Sequence, residues 1–450
     1  METVFTINED GSRNFLHPAD VKGRWQVRKN LAWGLLLSTY LILPWIQIGG
    51  KPAVHIDLPG RTAHLFGSAF TNQDFHLVFF LVTGLGFTLF VATSLWGRIW
   101  CGYVCPQTVF MEGVIRRMER WIEGPRNTRI RRNLGPTTFD KVWRKILKHV
   151  LFAAAALLFT HVFLTYFIPV RELLRSSPRE HWVAFLWTLF WAAVFYLDFA
   201  WFREQTCLII CPYGRLQSAL VDPDTVIIGY DEKRGEPRSK AAAEGGDCID
   251  CYRCVEVCPT GIDIRNGLQM ECIGCANCID ACDEVMDRIE RPRGLVRYDS
   301  ERGFETGITK ILRARVWIYL AMGLVGIAAF TARGMSRTSF QASALRTAGM
   351  PYTLEGERIR NLYSLHVQNK TDDTNTYTLA PAESTLGEHS DLVFLFPQDT
   401  LEIESFDSRE VPIFVEQERS SYTGPFEFQF AITDRATGEE MLVEVRFRGP

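Results

Sequence analysis

Eight of the twelve cysteines in this sequence form two copies of the spacing C-x2-C-x2-C-x3-C, which is typical of proteins that bind two iron–sulfur clusters. In such proteins the last cysteine of each copy binds the cluster of the other copy, because it is too distant to bind the fourth iron of the cluster held by its own three neighbours. The first predicted [4Fe–4S] site consists of Cys248, Cys251, Cys254 and Cys282. The second consists of Cys272, Cys275, Cys278 and Cys258. Structural zinc is the alternative, but it uses two Cys-x2-Cys pairs and has no use for a third close cysteine.

The other four cysteines form the pattern C-x3-C-P twice. They are Cys101, Cys105, Cys207 and Cys211. If each segment continues as a helix, its two cysteines share a face, and Pro106 and Pro212 end the two helices at once. Two such helix ends brought together offer four thiolates, which are soft ligands for Cu(I), zinc or an iron–sulfur cluster. We predict a catalytic metal site at these four cysteines, and copper is the candidate metal. The alternative is that the four cysteines pack helices together as small apolar residues.

Each C-x3-C-P copy follows an apolar run, and five runs approach the roughly 20 residues that span a bilayer. They cover residues 31–48, 77–96, 150–170, 182–201 and 316–330. We therefore predict an α-helical membrane protein with five transmembrane helices, whereas buried core helices are the alternative. His161 in the third run and Asp198 in the fourth are candidate functional residues, because ionisable groups are costly in a membrane. Their roles stay open.

Lysine and arginine in the loops predict the orientation of these helices. The loop 97–149 carries twelve of them, whereas the loop 49–76 carries two. Those of the longer loop include Arg116, Arg117, Arg131 and Arg132. We predict that the N-terminus and this basic loop are cytoplasmic, that all twelve cysteines face the cytoplasm, and that the chain after residue 331 is outside. A reducing cytoplasm keeps thiols free for metal. Nucleic-acid binding is the other interpretation of the basic loop, but its position between two spans favours a solvated, orientation-setting role.

Five parts follow from these features. They are a cytoplasmic segment (1–30), a four-helix membrane domain with both C-x3-C-P motifs (31–221), a cytoplasmic ferredoxin-type domain (222–315), a fifth transmembrane helix (316–331) and an outer domain (332–450). In the outer domain, alternating segments such as FEFQF and LVEVRFR predict a small β-sandwich.

The segments WCGYVCP and CLIICPYGR, followed by a two-cluster ferredoxin insert, resemble the membrane polyferredoxins to which NapH and NosR belong. The fifth span and the outer β-sandwich narrow the resemblance to the CcoG family, also called FixG or RdxA, over nearly the whole chain. The resemblance implies a protein of the bacterial inner membrane with an immunoglobulin-like periplasmic domain. It also implies reduction of Cu(II) to Cu(I) during assembly of a haem–copper cytochrome c oxidase. The implied partners are the oxidase assembly machinery or a copper transporter or chaperone, together with an unidentified cytoplasmic electron donor.

Three functions remain open at this point. The first is a cupric reductase or copper-handling assembly factor that uses the C-x3-C-P cysteines. The second is a general electron conduit to a quinone or a partner oxidoreductase, in which those cysteines hold a further cluster. The third is an assembly scaffold in which cluster ligation only supports folding.

The second cysteine copy departs from the ferredoxin pattern at one point. Cys258 is followed by Pro259 as expected, but Cys282 is followed by Asp283 and Glu284. Negative charge beside a cluster disfavours the addition of an electron. We therefore predict a lower reduction potential for the cluster bound by Cys282 than for its neighbour.

Overall fold

The computed structural model describes residues 15–48, 51–59, 62–71, 74–175, 181–239, 245–346, 352–371 and 373–450. The α-helices are α1 (Arg24–Ile42), α2 (Phe75–Trp96), α3 (Ile99–Tyr103), α4 (Pro106–Phe110), α5 (Arg116–Glu123), α6 (Arg126–Leu134), α7 (Phe139–Leu164), α8 (Val170–Arg175), α9 (Trp182–Leu197), α10 (Pro212–Leu220), α11 (Glu232–Gly235), α12 (Arg253–Glu256), α13 (Asn277–Arg288), α14 (Glu301–Thr306), α15 (Ala314–Met335) and α16 (Glu383–Glu388). Three turns have π-helical geometry, at Met111–Ile115, Asp198–Phe202 and Thr206–Ile210. The first fourteen residues of the predicted segment 1–30 lie outside the described part of the chain.

The β-strands are β1 (Gln47–Ile48), β2 (Lys51–Pro52), β3 (Val54–Asp57), β4 (Thr62–Leu65), β5 (Ser68–Thr71), β6 (Ile227–Tyr230), β7 (Val296–Asp299), β8 (Phe340–Arg346), β9 (Thr353–Glu355), β10 (Arg358–Asn369), β11 (Asn375–Pro381), β12 (Val393–Leu395), β13 (Thr400–Ile403), β14 (Ser408–Glu418), β15 (Phe426–Asp434) and β16 (Glu440–Phe447). The chain divides into two compact units. The first combines Met1–His55 with Phe79–Ala329, and the second combines Ile56–Val78 with Phe330–Pro450.

Four helical segments of the described chain are long and apolar enough to cross a membrane. They are His76–Trp96, Phe139–Leu164, Trp182–Phe202 and Ala314–Met335. They match four of the five predicted runs, so the chain is a membrane protein. Helix α7, which corresponds to the third predicted run, begins well before the predicted start at residue 150 and ends at Leu164 rather than at residue 170.

The first predicted span, residues 31–48, is wrong as a single helix. Helix α1 begins earlier, at Arg24, and ends at Ile42, after which Pro44 lies in a 3₁₀ turn and Gln47 begins a short strand. Proline lacks an N–H donor and restricts the residue before it, so the helix cannot continue through this point. The earlier start also brings charged residues into the first turns of α1, and α1 is accordingly not among the four apolar segments.

Within the first unit, α1 connects the cysteine-rich segment to the far end of α7. Its first turn is capped by Asp280 of α13, which accepts hydrogen bonds from the backbone N–H groups of Trp25 (3.2 Å) and Gln26 (2.8 Å). Near its last turn, the Tyr40 hydroxyl donates to the carbonyl of Phe159 (2.5 Å) on α7. Between these two points helix α1 packs against α3 and α4.

The cysteine-rich segment is organised by a two-stranded antiparallel sheet and one helix. Strand β6 pairs with β7 from Ile227↔Asp299 to Tyr230↔Val296. Helix α13 packs its buried Ile279 and Met286 into the same apolar core as the two strands. The cysteine loops lie between these strands in the sequence, so the sheet holds both ends of the segment together.

The second unit contains a sandwich of two antiparallel sheets. One has the strand order β12-β14-β10-β8, with β9 also paired to β10, and the other has the order β13-β11-β15-β16. Strand β10 alternates buried and partly exposed residues along its length, as expected where one face of a sheet is covered. Tyr363 of β10 contacts Phe428 of β15 at 5.7 Å between ring centroids, joining the two sheets in one core. The predicted C-terminal β-sandwich is confirmed.

Candidate metal centre

The two cysteine copies fold into loops with the same backbone pattern. Asp250 and Tyr252 of the first copy have φ angles of 50° and 56°, and Gly274 and Ala276 at the matching positions of the second have 66° and 60°. Side chains other than glycine rarely adopt this left-handed conformation, so its recurrence at three such residues is a constraint of the site. Loops that turn successive N–H groups inward in this way form concavities for anions. The repeated geometry fits two similar anionic clusters.

The first predicted set of four thiols is brought together, with its fourth member supplied by the other copy. The pKa of Cys282 on α13 is raised to about 12, first by burial and then by Cys254 and Cys251. Burial also raises the pKa of Cys254 to about 12, and Cys251 and Cys248 are among the neighbours that add to the effect. Cys251 is exposed, whereas Cys248 and Cys254 are buried. Crowded, buried thiols ionise only beside a cation, which is what iron in a cluster supplies.

The second set has the same arrangement. The pKa of Cys272 is raised to about 12, first by burial, with Cys275 and Cys258 also raising it. Burial raises the pKa of Cys278 well above its ordinary value, and Cys275, Cys272 and Cys258 contribute in turn. Cys258, Cys272, Cys275 and Cys278 also line one small cavity. These residues fit a [4Fe–4S] cluster, whose chemistry when bound is the gain and loss of one electron.

No three histidine, cysteine, aspartate or glutamate side chains of the described residues are grouped as a single metal ion would require. Cysteines on a cubane bind separate irons and are spaced more widely than the ligands of one ion.

The C-x3-C-P segments bend at their second cysteine, so the prediction of a helix through each segment is wrong. Helix α3 ends at Tyr103, and Cys105 precedes Pro106 with an extended ψ of 125°. Cys211 has the same position before Pro212, with ψ of 110°. Proline occupies the first position of α4 and of α10, where its missing N–H costs nothing, and it forces the preceding cysteine out of the helical conformation. The prolines therefore begin helices instead of ending them.

The four C-x3-C-P cysteines nevertheless lie together. Burial raises the pKa of Cys101 to about 12, and Cys105 and Cys211 add to the effect. Burial raises the pKa of Cys207 far above its ordinary value, and the nearby Cys105, Cys101 and Cys211 raise it further. The two motifs, more than a hundred residues apart in the sequence, thus form one four-thiol site directly after the membrane helices.

This four-thiol site is in backbone contact with the loop of the second cysteine set. A Cβ atom placed on Gly102 would lie 2.9 Å from Cα of Cys275 and from the carbonyl oxygens of Gly274 and Ile273. A Cβ atom on Gly274 would lie 2.9 Å from the carbonyl oxygen of Arg98. Only glycine at both positions allows the two backbones to come this close. No side chain separates Cys101 and its helix from the loop that carries Cys275.

Polar residues join the two halves of the four-thiol site. The Arg98 guanidinium donates to the carbonyl of Gly214, and the Cys101 thiol donates to Oε1 of Gln217 at 3.6 Å. Asp198 accepts a hydrogen bond from Nε2 of Gln107 at 2.8 Å. Gln107 follows Cys105 in the chain, so Asp198 positions the first motif from the end of the fourth predicted span.

His161 is not part of this site in the structure. Its side chain is exposed on the surface of α7. Of the two intramembrane candidates, only Asp198 contacts a C-x3-C-P segment.

A buried ion network beside the clusters was missed by the sequence interpretation. Arg116, predicted to be solvated, is only 3% exposed and donates to Glu204 at 3.0 Å and to the carbonyl of Pro259 at 3.1 Å. Arg203 forms a two-point contact with Glu119, at 3.1 and 2.9 Å. Burial opposes ionisation of Glu119, but Arg203 and other cations hold its pKa below the ordinary value. The signal available in the sequence was the presence of three glutamates, Glu112, Glu119 and Glu123, among the arginines of the basic loop.

Comparison with known proteins extends this picture. Residues 202–301 match a family model described as "4Fe-4S dicluster domain", residues 77–128 match one described as "4Fe-4S binding domain", and residues 330–450 match "IG-like fold at C-terminal of FixG". The first two models contain all twelve cysteines, including those of both C-x3-C-P motifs. The predicted iron–sulfur domains and the immunoglobulin-like domain are thereby confirmed.

Three curated relatives match over long stretches. Protein RdxA of Cereibacter sphaeroides is 37% identical over 389 residues, covering 82% of each chain. Protein RdxB of the same organism is 36% identical over 394 residues, again covering 82% of each. Nitrogen fixation protein FixG of Rhizobium meliloti is 40% identical over 303 residues, covering 64% of this chain and 57% of the relative. The chain therefore belongs to the FixG/RdxA family of membrane iron–sulfur proteins.

Proposed function

We propose that this protein carries electrons from two [4Fe–4S] clusters to the four-thiol site, where Cu(II) is reduced to Cu(I) for assembly of a haem–copper cytochrome c oxidase. The observation that carries the proposal is the backbone contact of Gly102 with the loop of Cys275. It makes the four-thiol site an immediate neighbour of the second cluster site. Electrons arriving at that cluster therefore have a short path to any metal held by Cys101 and its three partners.

The copper step is a one-electron transfer. Cu(II) at the four thiols would accept one electron and become Cu(I), which soft sulfur ligands stabilise. The neighbouring cluster site, when loaded, would supply that electron. The four thiols, Cys101, Cys105, Cys207 and Cys211, are not themselves oxidised in this step. Gln217 and Arg98 hold the two motifs in place around the metal.

The proposed topology has five crossings, with the cysteines in the cytoplasm and the C-terminal domain in the periplasm. Trp25 lies beside α13, and Gly102, directly after α2, contacts the same cysteine-rich segment, so both are on one side. With α2 crossing once between residues 76 and 96, the proposed topology has one further crossing between Trp25 and the start of α2. Helix α1 and its 3₁₀ turn are the segment available for this crossing. His55, 3.2 Å from the carbonyl of Phe167 beyond the end of α7, supports it.

The domain boundaries and partners proposed from the sequence fit this topology. The membrane domain 31–221, the ferredoxin-type domain 222–315, the fifth helix 316–331 and the periplasmic domain 332–450 are retained as proposals. An unidentified cytoplasmic electron donor, a copper transporter or chaperone and the oxidase assembly machinery are the proposed partners. No nucleic acid is among them.

A second candidate is favoured by one observation. The family model covering residues 77–128, and with it Cys101 and Cys105, is described as 4Fe–4S binding. In that case the four thiols hold a further cluster, and the protein is an electron conduit to another acceptor.

Metal content decides between the two. Purify the protein anaerobically, count iron, sulfide and copper, and repeat with Cys101, Cys105, Cys207 and Cys211 all changed to serine. The proposal expects about eight irons in both proteins and loss of copper binding and Cu(II) reduction in the variant alone. Iron in excess of two clusters that disappears in the variant would instead establish the conduit. A Cys248→Ser variant, which removes a predicted cluster ligand, serves as the matched control and should lose iron.

A further inference from the structure

The first unit contains a cavity of about 360 Å³ between the end of α2 and the loop of the second cysteine set. One wall is formed by Trp96 and Arg98, and another by Leu268 and Met270. Cys272, a predicted cluster ligand, lines its inner end. The volume lies within the range of small-molecule sites. Neither copper handling at the four-thiol site nor the cluster assignments use this cavity.

The cavity is lined by residues at and next to the end of the membrane helix α2. Trp96 is the last residue of α2 and is 51% exposed, as is common for tryptophan at a membrane interface. Asp222, also in the wall, pairs with Arg313 at 3.0 Å, one residue before the membrane helix α15 begins. The end of α2 therefore lines the cavity, and the start of α15 lies next to its wall through the pair of Arg313 with Asp222. We expect a ligand dissolved in the bilayer to reach this cavity.

The loop that faces these helix ends carries apolar side chains that are exposed to solvent. Leu268 is 45% exposed and Met270 is 64% exposed, although both belong to the otherwise polar cysteine-rich segment. Exposed apolar groups next to a cavity mark a binding surface for an apolar ligand. Arg98 and Asp222 supply charged groups at the wall, so the ligand also has a polar part.

We propose that this cavity binds a lipid-soluble quinone, which exchanges electrons with the cluster held in part by Cys272. The ligand must come from the membrane, have an apolar tail and a compact polar ring, and be redox active, because one wall of its site is a cluster ligand. A quinone meets all four requirements. The proposal rests on the proposed function for the cluster assignment, and it names a membrane quinol as the source of the electrons in place of the cytoplasmic donor.

The exchange balances in electrons and protons. A quinol releases two electrons and two protons when it becomes a quinone. The two cluster sites accept one electron each, so one quinol fills both. The protons leave through Glu301, an exposed carboxylate on the cavity wall, to the surrounding water. Two Cu(II) ions are then reduced for each quinol consumed.

Photolabelling and anaerobic reduction of the full-length protein in nanodiscs test the proposal. The photolabel is an azido-quinone, and decyl-ubiquinone is its competitor. In the reduction assay the reductant is decyl-ubiquinol, and dithionite is the reference reductant. The variant is Leu268→Trp, which fills the cavity, and Leu312→Trp is the matched control, because Leu312 is exposed and does not line the cavity. We expect the label on the peptide that contains Leu268 and Met270, and about tenfold weaker labelling and slower quinol reduction in Leu268→Trp. Reduction by dithionite and iron content should stay unchanged in both variants.

Three outcomes would overturn the proposal. The first is labelling at other peptides. The second is labelling that decyl-ubiquinone does not displace, while an azido-phospholipid labels the cavity. The third is an equal rate of reduction by quinol in Leu268→Trp and in the wild type. The quadruple serine variant of the four-thiol site separates this proposal from the proposed function. If quinol still reduces its clusters and copper reduction persists, the copper proposal fails and the quinone site stands.

Discussion

Changing Gly102 to alanine should separate electron delivery from cluster binding, because Gly102 touches the second cluster loop without supplying a ligand. The added Cβ would lie 2.9 Å from three backbone atoms, of Ile273, Gly274 and Cys275, where ordinary contact begins at 3.4 Å. At least about 0.5 Å of movement is required, and a backbone cannot rotate away as a side chain can. We expect a loss of about 1–3 kcal/mol in stability.

The assay has two parts. Iron and sulfide are counted and the clusters are reduced with dithionite, and the rate of Cu(II) reduction is then followed by Cu(I) chelation. We expect Gly102→Ala to keep both clusters and to reduce copper more slowly than the wild type, because the four-thiol site has moved away from its donor. Gly86→Ala is the matched control, since a Cβ at Gly86 meets nothing within 4 Å. An unchanged melting temperature and copper-reduction rate in Gly102→Ala would refute the argument that this contact carries the transfer.

Three further predictions concern charge. Because burial, first among its causes, raises the pKa of the Cys101 thiol to about 12, Cu(I) binding must release its proton. Cu(I) affinity should therefore rise from pH 6 to pH 9 in a competition titration, and a pH-independent affinity would contradict this. Asp283→Asn should raise the midpoint potential of the cluster bound by Cys282 by an amount on the order of tens of millivolts; equal midpoints in redox titrations of variant and wild type would exclude it. Glu119→Gln removes the carboxylate that pairs with the buried Arg203 and Arg129 and should cost about 3–5 kcal/mol, visible as a lower melting temperature, whereas Glu305→Gln, at an exposed position, should melt like the wild type.

The sequence predicted what depends on short-range spacing. From the interval of three residues before Cys258 and Cys282 we predicted that each of these cysteines belongs to the ligand set of the other copy. The structure places Cys282 beside thiols of the first set and Cys258 beside thiols of the second. Four membrane helices followed from the length of their apolar runs. Each of these features is set by residues close together in the chain.

Features that join distant segments were not predictable in this way. The burial of Arg116 depends on Glu204 and on the carbonyl of Pro259, both far along the chain. A local error was different in kind, because Pro106 was interpreted as the end of one helix when it begins the next. Proline is compatible with both positions, and only the extended cysteine before it distinguishes them.

The ferredoxin comparison also needs a structural correction at residue 283. Asp283 lies within α13, where proline would remove a backbone hydrogen bond and break the helix that carries Cys278 and Cys282. Asparagine, not proline, is therefore the exchange that changes the charge alone, since its side-chain oxygen can still accept the hydrogen bond from the backbone of Gly294.

Helix α13 links the chemistry of the clusters to the membrane. It carries one cysteine of each cluster set, and Asp280, between Cys278 and Cys282, caps the first turn of α1. A Cβ on Gly23 would lie within 2.3 Å of the Asp280 side chain, so glycine is what allows this close approach. The same few residues therefore set the position of both predicted cluster sites and of the start of α1. Gly102 contacts the second loop as well, so the proposed electron path from that cluster site to the four thiols is short.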